Sequence, residues 1–376
     1  MSQDIHCPMI HGGLNIFLKG PDNQLRFNQC CLSTTQMAMP PDPSTVWQNI
    51  LLKDIRKTNN ENVWLDGCWQ CHQIENAGIK SFRQSMIEAF GVEKNLSGPR
   101  RIDFLFDRGC NLACRTCGSH SSTFWEKHLR DNNLLIGAVS KPTDNFDKIK
   151  QVLETLDLSN LTQAQFCGGE TLMGNNYWHT AQLLADLVPN AKNNLLLGFQ
   201  TNGTQFIDEK YYSLIEKFKL VKLMISIDGI QDQFEYLRWP ANWNQVTDNI
   251  FKLREKLPGN VMFFIQETTS CLNLLHFGEV SNWVKQNFNT NKSGDQTDHS
   301  TQLAIHSYLD VNNITQEYVD AIKNTNMFQF VSSEWAENPE RIKTFIRETE
   351  KFDQIRGQDW KKTFPEVANF YSRYLR

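Results

Sequence analysis

The sequence predicts an α/β protein built on a parallel sheet with its helices packed outside. From Arg101 to about Asp310, short apolar runs alternate with stretches long enough for helical crossovers. That alternation is what parallel strands need to connect. The glycine, cysteine and polar motifs of this stretch follow the ends of the apolar runs, where parallel α/β barrels collect their sites. Residues 1–98 are different in kind, cysteine-rich and of mixed α+β pattern, and residues 311–376 read as helical.

In the first part, Leu14–Leu18 and Gln24–Phe27 flank Lys19-Gly-Pro-Asp-Asn23, a hairpin pattern of two apolar stretches around a turn. A proline-rich loop at Met39–Pro43 follows. Val46, Ile50, Leu51 and Ile55 then repeat at helical spacing within Ser44–Arg56. Ser81–Phe90 is a second helix, and Asn95–Pro99 reads as a linker. In the middle part the expected strands are Ile102–Phe106, Ala164–Phe166, Leu195–Gln200, Leu223–Ile227, Met262–Gln266 and Leu303–Tyr308. Helical crossovers are expected at Ser121–His128, Asp144–Leu158, Trp178–Leu187, Glu209–Phe218 and Asn244–Leu257, and 289–299 reads as an exposed loop. The last part is expected to hold helices at Gln316–Asn324, Glu340–Lys351 and Phe364–Tyr374, without a recognisable motif.

Composition narrows the class. The 376 residues are 40% hydrophobic and 21% charged, with a net charge of −4, which is ordinary for a globular protein. No global basic excess argues for nucleic-acid binding. No apolar run approaches the roughly 20 residues of a membrane span. Met-Ser-Gln-Asp-Ile-His-Cys at the start lacks a basic region followed by an apolar core, so no leader is expected. Ten cysteines without a secretion signal point to a reducing compartment, the cytoplasm, and to metal ligation rather than disulfides.

The chemistry begins at Gly109-Cys-Asn-Leu-Ala-Cys-Arg-Thr-Cys-Gly118. Cys110, Cys114 and Cys117 place three soft thiolates in one loop, and such thiolates suit the irons of a [4Fe–4S] cluster. A fourth iron would lack a protein ligand and stay open to a co-substrate. A zinc site completed by His120, or simply buried thiols, are the alternatives. The C-x3-C-x2-C spacing, after a strand and before a helix, resembles the radical S-adenosylmethionine (radical SAM) enzymes. Thr116 stands where that family usually has an aromatic residue. The resemblance implies a partial (β/α)6 barrel over 99–310. It also implies SAM bound at the open iron and reductive cleavage to a 5′-deoxyadenosyl radical that takes a substrate hydrogen atom.

Further motifs support the resemblance. Gly168-Gly169-Glu170 follows the second strand; adjacent glycines allow close backbone approach to a ligand, and a glutamate can accept from an ammonium group. In the family this turn binds the SAM amino group. Thr201 and Asn202 end the third strand, and Ser226 and Asp228 alternate with apolar residues at the end of the fourth. The resemblance places the last two near the SAM ribose or carboxylate. Arg238 suits a carboxylate grip. Glu267, Thr268, Asn273, His306 and Tyr308 are further residues near strand ends, each equally well read as structural.

Cys7, Cys30, Cys31, Cys68 and Cys71 form a second set around the hairpin and a C-x2-C knuckle. It resembles the Twitch/SPASM auxiliary-cluster domains of radical SAM enzymes. The implied ligands of a second [4Fe–4S] cluster are Cys7, Cys30, Cys68 and Cys71, with Cys31 interchangeable with Cys30. Structural zinc is the rival. Relatives of this kind commonly modify peptides or proteins by cross-linking, oxidation or epimerisation, and draw electrons from a donor such as flavodoxin or ferredoxin. Epimerisation needs a hydrogen donor, for which Cys271 is the first candidate and Cys167 the second. A small-metabolite substrate, or a non-catalytic iron–sulfur or zinc protein, are the alternative functions.

Overall fold

The computed structural model describes the chain except for residues 1–4, 20–23, 77–79, 95, 136–144, 289–297, 305–307, 333 and 376. Among the described residues, nine strands form one sheet: β1 Gly13–Lys19, β2 Gln24–Asn28, β3 Met37–Ala38, β4 Arg101–Leu105, β5 Gln163–Phe166, β6 Leu196–Thr201, β7 Leu220–Ser226, β8 Val261–Thr269 and β9 Asp298–Leu303. Their order is β3-β2-β1-β4-β5-β6-β7-β8-β9. From β4 to β9 every neighbour is parallel, giving the six-stranded β/α unit of a partial barrel.

Alternation along the strands decides which face is sealed. Ile102, Phe104, Ala164, Phe166, Leu197, Phe199, Leu223, Ile225 and Ile265 bury one face beneath the helices. The helix Asn175–Leu187 supplies Tyr177, which packs against Phe106 and Phe166, and Trp178, whose ring lies 4.7 Å from Phe199. The opposite face carries Asn15, Asp103, Gln165, Gly198 and Lys222 in register from β1 to β7.

The N-terminal hairpin does not stand apart from this sheet. β1 pairs parallel with β4, from Gly13 opposite Arg101 to Phe17 opposite Leu105. β2 then pairs antiparallel with β1, and Leu14, Ile16, Leu25 and Phe27 join the core that holds Phe104 and Phe166. The hairpin thereby covers the β4 edge, whose bare backbone groups would otherwise invite pairing with another chain. The helix expected at Ser44–Arg56 instead runs Ile50–Asn60, because Asn49 caps it by accepting from the Leu51 N–H at 2.9 Å. Val46 and Trp47 are buried in the approach to that helix, while Ile50 and Leu51 are exposed. The sixth core strand lies at Asp298–Leu303, ahead of the expected Leu303–Tyr308. His306 and most of the expected 289–299 loop fall outside the described residues.

Helices Gln316–Ile322, Pro339–Arg356, Trp360–Thr363 and Pro365–Phe370 build a second apolar core. Leu272 and Leu274, from the loop after β8, enter it. Among the described residues, no helix is long and apolar enough to cross a membrane.

Candidate functional site

The cysteine loop leaves the C-terminal end of β4 and is fixed on every side by backbone bonds. Asp107 Oδ1 accepts from the Gly109 N–H at 2.7 Å, which turns the chain out of the strand. Thr123 opens the following helix Thr123–Asp131; its hydroxyl accepts from the Cys110 N–H at 3.2 Å, and its own N–H donates to Arg108 O. Ser122 caps that helix at the Trp125 N–H, and Trp125 Nε1 donates to Cys114 O at 2.8 Å. Ala113 N and Arg115 N donate to Trp239 O and Leu237 O.

The Gly-Gly-Glu turn is joined to this loop. Gly168 and Gly169 have φ of +86° and +54°, the left-handed region open to glycine. A Cβ at Gly169 would lie 2.4 Å from Gly109 O, so only glycine permits this approach. The Glu170 N–H donates to Gly109 O at 2.6 Å. The Glu170 carboxylate is buried and accepts from Thr201 Oγ1 at 2.6 Å, the Leu172 N–H at 3.0 Å and the Asn202 N–H at 2.6 Å. Three of its roughly four acceptor positions are thus used within the protein. Burial raises its pKa, against the lowering by these donors.

Asn202 links the third strand end to the cysteines. Its Nδ2 donates to Asn111 Oδ1 at 3.1 Å and lies 3.9 Å from Cys110 Sγ. Its Oδ1 accepts from the Thr204 N–H and hydroxyl, and Asn111 Nδ2 donates to Thr204 Oγ1. Sequence reasoning missed Asn111 and Thr204; Asn111 lies between the first two cysteines and Thr204 just after Asn202.

At the fourth strand end, Ser226 and Asp228 are both buried. Asp228 Oδ1 accepts from Arg238 Nη2 and from the Thr268 N–H, each at 2.8 Å. Arg238 Nη1 lies 3.9 Å from Cys114 Sγ. The guanidinium is therefore committed to Asp228 and the cysteine loop, and the nearby carboxylate raises its pKa against desolvation. Asp228 Oδ2 and Arg238 Nε are buried without a partner. Asn273 is a strut: it donates to Asp228 O and Thr268 O and accepts from Ser270.

These residues fit a thiolate-bound cluster. Burial pushes Cys110 up to about 11 and Cys114 up to about 12, and raises Cys117. Such thiols stay protonated until metal displaces the proton. Asn202 and Arg238 point N–H donors at two of the three sulfurs, and the Gly169 approach leaves the loop no room to shift.

The second cysteine set also comes together. Cys7, Cys30, Cys68 and Cys71 line one pocket with Ile5, Ile10, Leu65, Phe82 and Arg83. Cys7 precedes the short helix Pro8–Gly12, Cys68 ends the turn Asp66–Cys68, and Cys71 lies on the helix Trp69–Asn76. Burial pushes Cys7 up to about 11 and Cys68 up to about 12. Arg83 closes the side, with Nη2 2.6 Å from Glu75 Oε2 and Nη1 donating to His6 O. Cys31 is exposed and does not line the pocket. The structure therefore separates Cys30 from Cys31, which the sequence left interchangeable. Among the described residues, no three Cys, His, Asp or Glu side chains gather about a single metal-ion position.

Cys271 does not join the core cluster that holds Cys114. It is wholly buried in the C-terminal apolar core with Ile314, Tyr318 and Tyr371, far up in pKa through burial. Burial there favours a packing role over hydrogen donation. Cys167 follows Phe166, which faces the helices, so alternation turns Cys167 to the polar face of the sheet.

No curated protein matches the chain. Among solved structures, anSMEcpe with bound AdoMet and Cp18Cys peptide is similar at 18% identity, over 68% of this chain and 61% of that chain, with a TM-score of 0.37. Streptococcus suis SuiB bound to precursor peptide SuiA is similar at 9% identity, over 94% of this chain and 74% of that one, with a TM-score of 0.38. The chain thus spans about three fifths of the length of anSMEcpe. The model of the Radical SAM superfamily matches residues 105–277, the stretch that holds the cysteine triplet, the Gly-Gly-Glu turn, Asn202, Asp228 and Arg238. Over that stretch the chain is similar to the Radical SAM superfamily.

Proposed function

We propose that the chain cleaves SAM reductively and takes a hydrogen atom from a peptide or protein substrate. The observation that carries the radical chemistry is the convergence of Cys110, Cys114, Cys117, Glu170, Asn202, Asp228 and Arg238 at one end of the sheet. When bound, the [4Fe–4S] cluster supplies an electron to SAM at its open iron, and the released 5′-deoxyadenosyl group takes the hydrogen. The protein's own part is placement. Gly168 and Gly169 would bring backbone to the SAM amino group, and the remaining acceptor position of Glu170 would accept a hydrogen bond from it. Thr201 holds Glu170, and Asn202 holds Cys110. Ser226, Asp228 Oδ2 and Arg238 Nε would meet the ribose and carboxylate; the latter two are buried polar atoms still without partners.

The peptide reading follows from the second cysteine set. We assign Cys7, Cys30, Cys68 and Cys71 to an auxiliary [4Fe–4S] cluster in a Twitch-like segment, 1–98, ahead of the core at 99–310 and a helical region at 311–376. The four thiols line one pocket, which supports a shared centre there; structural zinc is the second reading. An electron donor of the ferredoxin or flavodoxin kind and a reducing cytoplasm complete the reading.

Iron and sulfide per chain after anaerobic reconstitution test it. Two clusters predict roughly 8 irons, and roughly 4 in the Cys110→Ala/Cys114→Ala/Cys117→Ala variant. The wild type should also convert SAM to methionine and 5′-deoxyadenosine under reduction, and the variant should not. Roughly 4 irons in wild type and none in the variant would remove the auxiliary cluster. A loaded wild type that leaves SAM intact would remove the radical function. Host extract split by size then separates substrates: stimulation of 5′-deoxyadenosine formation only by the small-molecule fraction would refute the peptide reading.

A further inference from the structure

The middle cysteine of the triplet is held from an unexpected direction. Arg115, the residue after Cys114, has a wholly buried side chain and pairs with Asp353 on the C-terminal helix Pro339–Arg356. Its Nη2 also donates to Gln358 Oε1 at 2.9 Å and its Nη1 to Thr349 O at 3.3 Å. The guanidinium lies 4.3 Å over the ring of Tyr236. Asp353 is held in turn: Oδ1 also accepts from the Tyr236 hydroxyl and Oδ2 from the Trp360 N–H, each at 2.7 Å. Four segments of chain therefore meet on one ion pair, and the Arg115 N–H ties them to Leu237 O.

The charges around Cys114 form a pattern. Arg238 lies at its sulfur and is balanced by Asp228. Arg115 follows it in the chain and is balanced by Asp353. Arg356, one turn beyond Asp353, stacks over Trp125 at 4.7 Å and Trp239 at 4.8 Å. Burial lowers its pKa to about 10, and Arg115 and Cys114 both act on its charge. Three guanidinium groups face two carboxylates beside a loop that is to carry an anionic cluster. In so buried a place each charge is felt strongly.

We propose, on the reading that the triplet holds a [4Fe–4S] cluster, that Asp353 is a positioning residue of that cluster. Through Arg115 it fixes Cys114 and sets the charge that the cluster sees. The C-terminal helix, which has no motif of its own, is thereby part of the redox site rather than a cap on the fold.

The test is a charge cycle on the full-length, anaerobically reconstituted protein: Asp353→Asn, Arg115→Gln and the double variant. Each is read by iron per chain, the EPR spectrum of the reduced cluster and its midpoint potential. The triplet must be the only cluster observed, so all variants carry Cys68→Ala/Cys71→Ala in addition. Removing the carboxylate leaves a bare cation and eases reduction, so Asp353→Asn shifts the potential up. Arg115→Gln shifts it down, and the double variant, a neutral hydrogen-bonding pair, returns toward the parent. Glu340→Gln, an exposed charge on the same helix, shifts nothing. If a single variant fails to load iron, recovery of loading in the double variant supports the proposal. Single variants that load fully with the parent potential and EPR spectrum overturn it, as does a double variant that recovers nothing the singles lost. A parent that loads no iron at the triplet refutes the cluster reading itself, which is a separate outcome.

Discussion

A methyl group at position 169 has nowhere to go. Its Cβ would sit 2.4 Å from Gly109 O, 2.9 Å from Arg108 C and 3.0 Å from Gly109 N, all backbone of the cysteine loop. No side chain can swing away to relieve it. Alanine at φ +54° costs about 1 kcal/mol in backbone strain alone. The loop must also back off, which breaks the 2.6 Å bond from the Glu170 N–H to Gly109 O, worth about 1 kcal/mol more. A total of about 2 kcal/mol corresponds to about 30-fold in an equilibrium constant. Because the clash separates the Gly-Gly-Glu turn from the cysteine loop, the loss falls on SAM affinity more than on global stability.

Gly168→Ala is the internal comparison. Its φ is +86°, but the nearest atom to its Cβ, Asp107 O, is 3.2 Å away, so strain dominates. It should weaken SAM binding by about fivefold, from about 1 kcal/mol. Gly259 has open space and ordinary φ, so Gly259→Ala should do nothing. SAM affinity by calorimetry, on reconstituted proteins with matched iron content, gives the order. Equal affinity for Gly169→Ala and wild type, or a larger loss in Gly168→Ala, would refute the close-approach argument.

Three other expectations are independent of that one. Cys30→Ser should lower the iron of the N-terminal site while Cys31→Ser leaves it unchanged, since only Cys30 lines the pocket; equal iron loss in both would return the two to equivalence. Cys271→Ala should cost about 1 kcal/mol of stability by denaturant unfolding and leave 5′-deoxyadenosine formation intact, because the thiol packs in the C-terminal core; loss of product-forming turnover without loss of SAM cleavage would restore its donor role. His11 is buried, and burial beside His6 lowers its pKa to about 4. It stays neutral in the fold while the unfolded chain takes up a proton, so stability is present above about 6.5 and is lost as pH falls toward about 4. His11→Gln should flatten the thermal-midpoint slope across that window, and an unchanged slope would show that other groups control it.

Much of the core was legible because its signals are local. The strand β4, the cysteine loop and the Ser122 cap follow one another in sequence, so spacing alone placed them. Alternation of Ile225 and Ile227 with Ser226 and Asp228 correctly put both polar groups at one strand end. Long-range pairings were not legible. Nothing local in Leu14–Leu18 says that it pairs in parallel with β4 rather than standing with β2 alone. Arg115 reads as a spacer between cysteines until Asp353, far along the chain, is seen to face it. Arg238 reads as a grip for a ligand carboxylate until Asp228 and Cys114 are seen beside it. Cys271 was attractive for lying after the fifth strand, but the loop there turns into the C-terminal core instead of over the sheet.

The sheet itself bears on what lies between the two cysteine sets. Cys7 precedes β1 and Cys30 follows β2, so both stand where β1 and β4 begin, whereas the triplet stands where β4 ends. The five residues of β4 separate them by about 16 Å along the strand. Parallel sheets of this class are ordinarily apolar on both faces. Here the face away from the helices carries Asn15, Asp103, Gln165 and Lys222 in register, with Arg101 paired to Asp103 at 2.8 Å. Asn15 Oδ1, Asp103 Oδ2 and Gln266 Oε1 are buried there without partners. Buried acceptors of this kind are costly unless water or a ligand meets them. A core built only for stability would have replaced them with apolar groups. Buried acceptors on this face are the atoms that ordered water or a polar ligand there would satisfy.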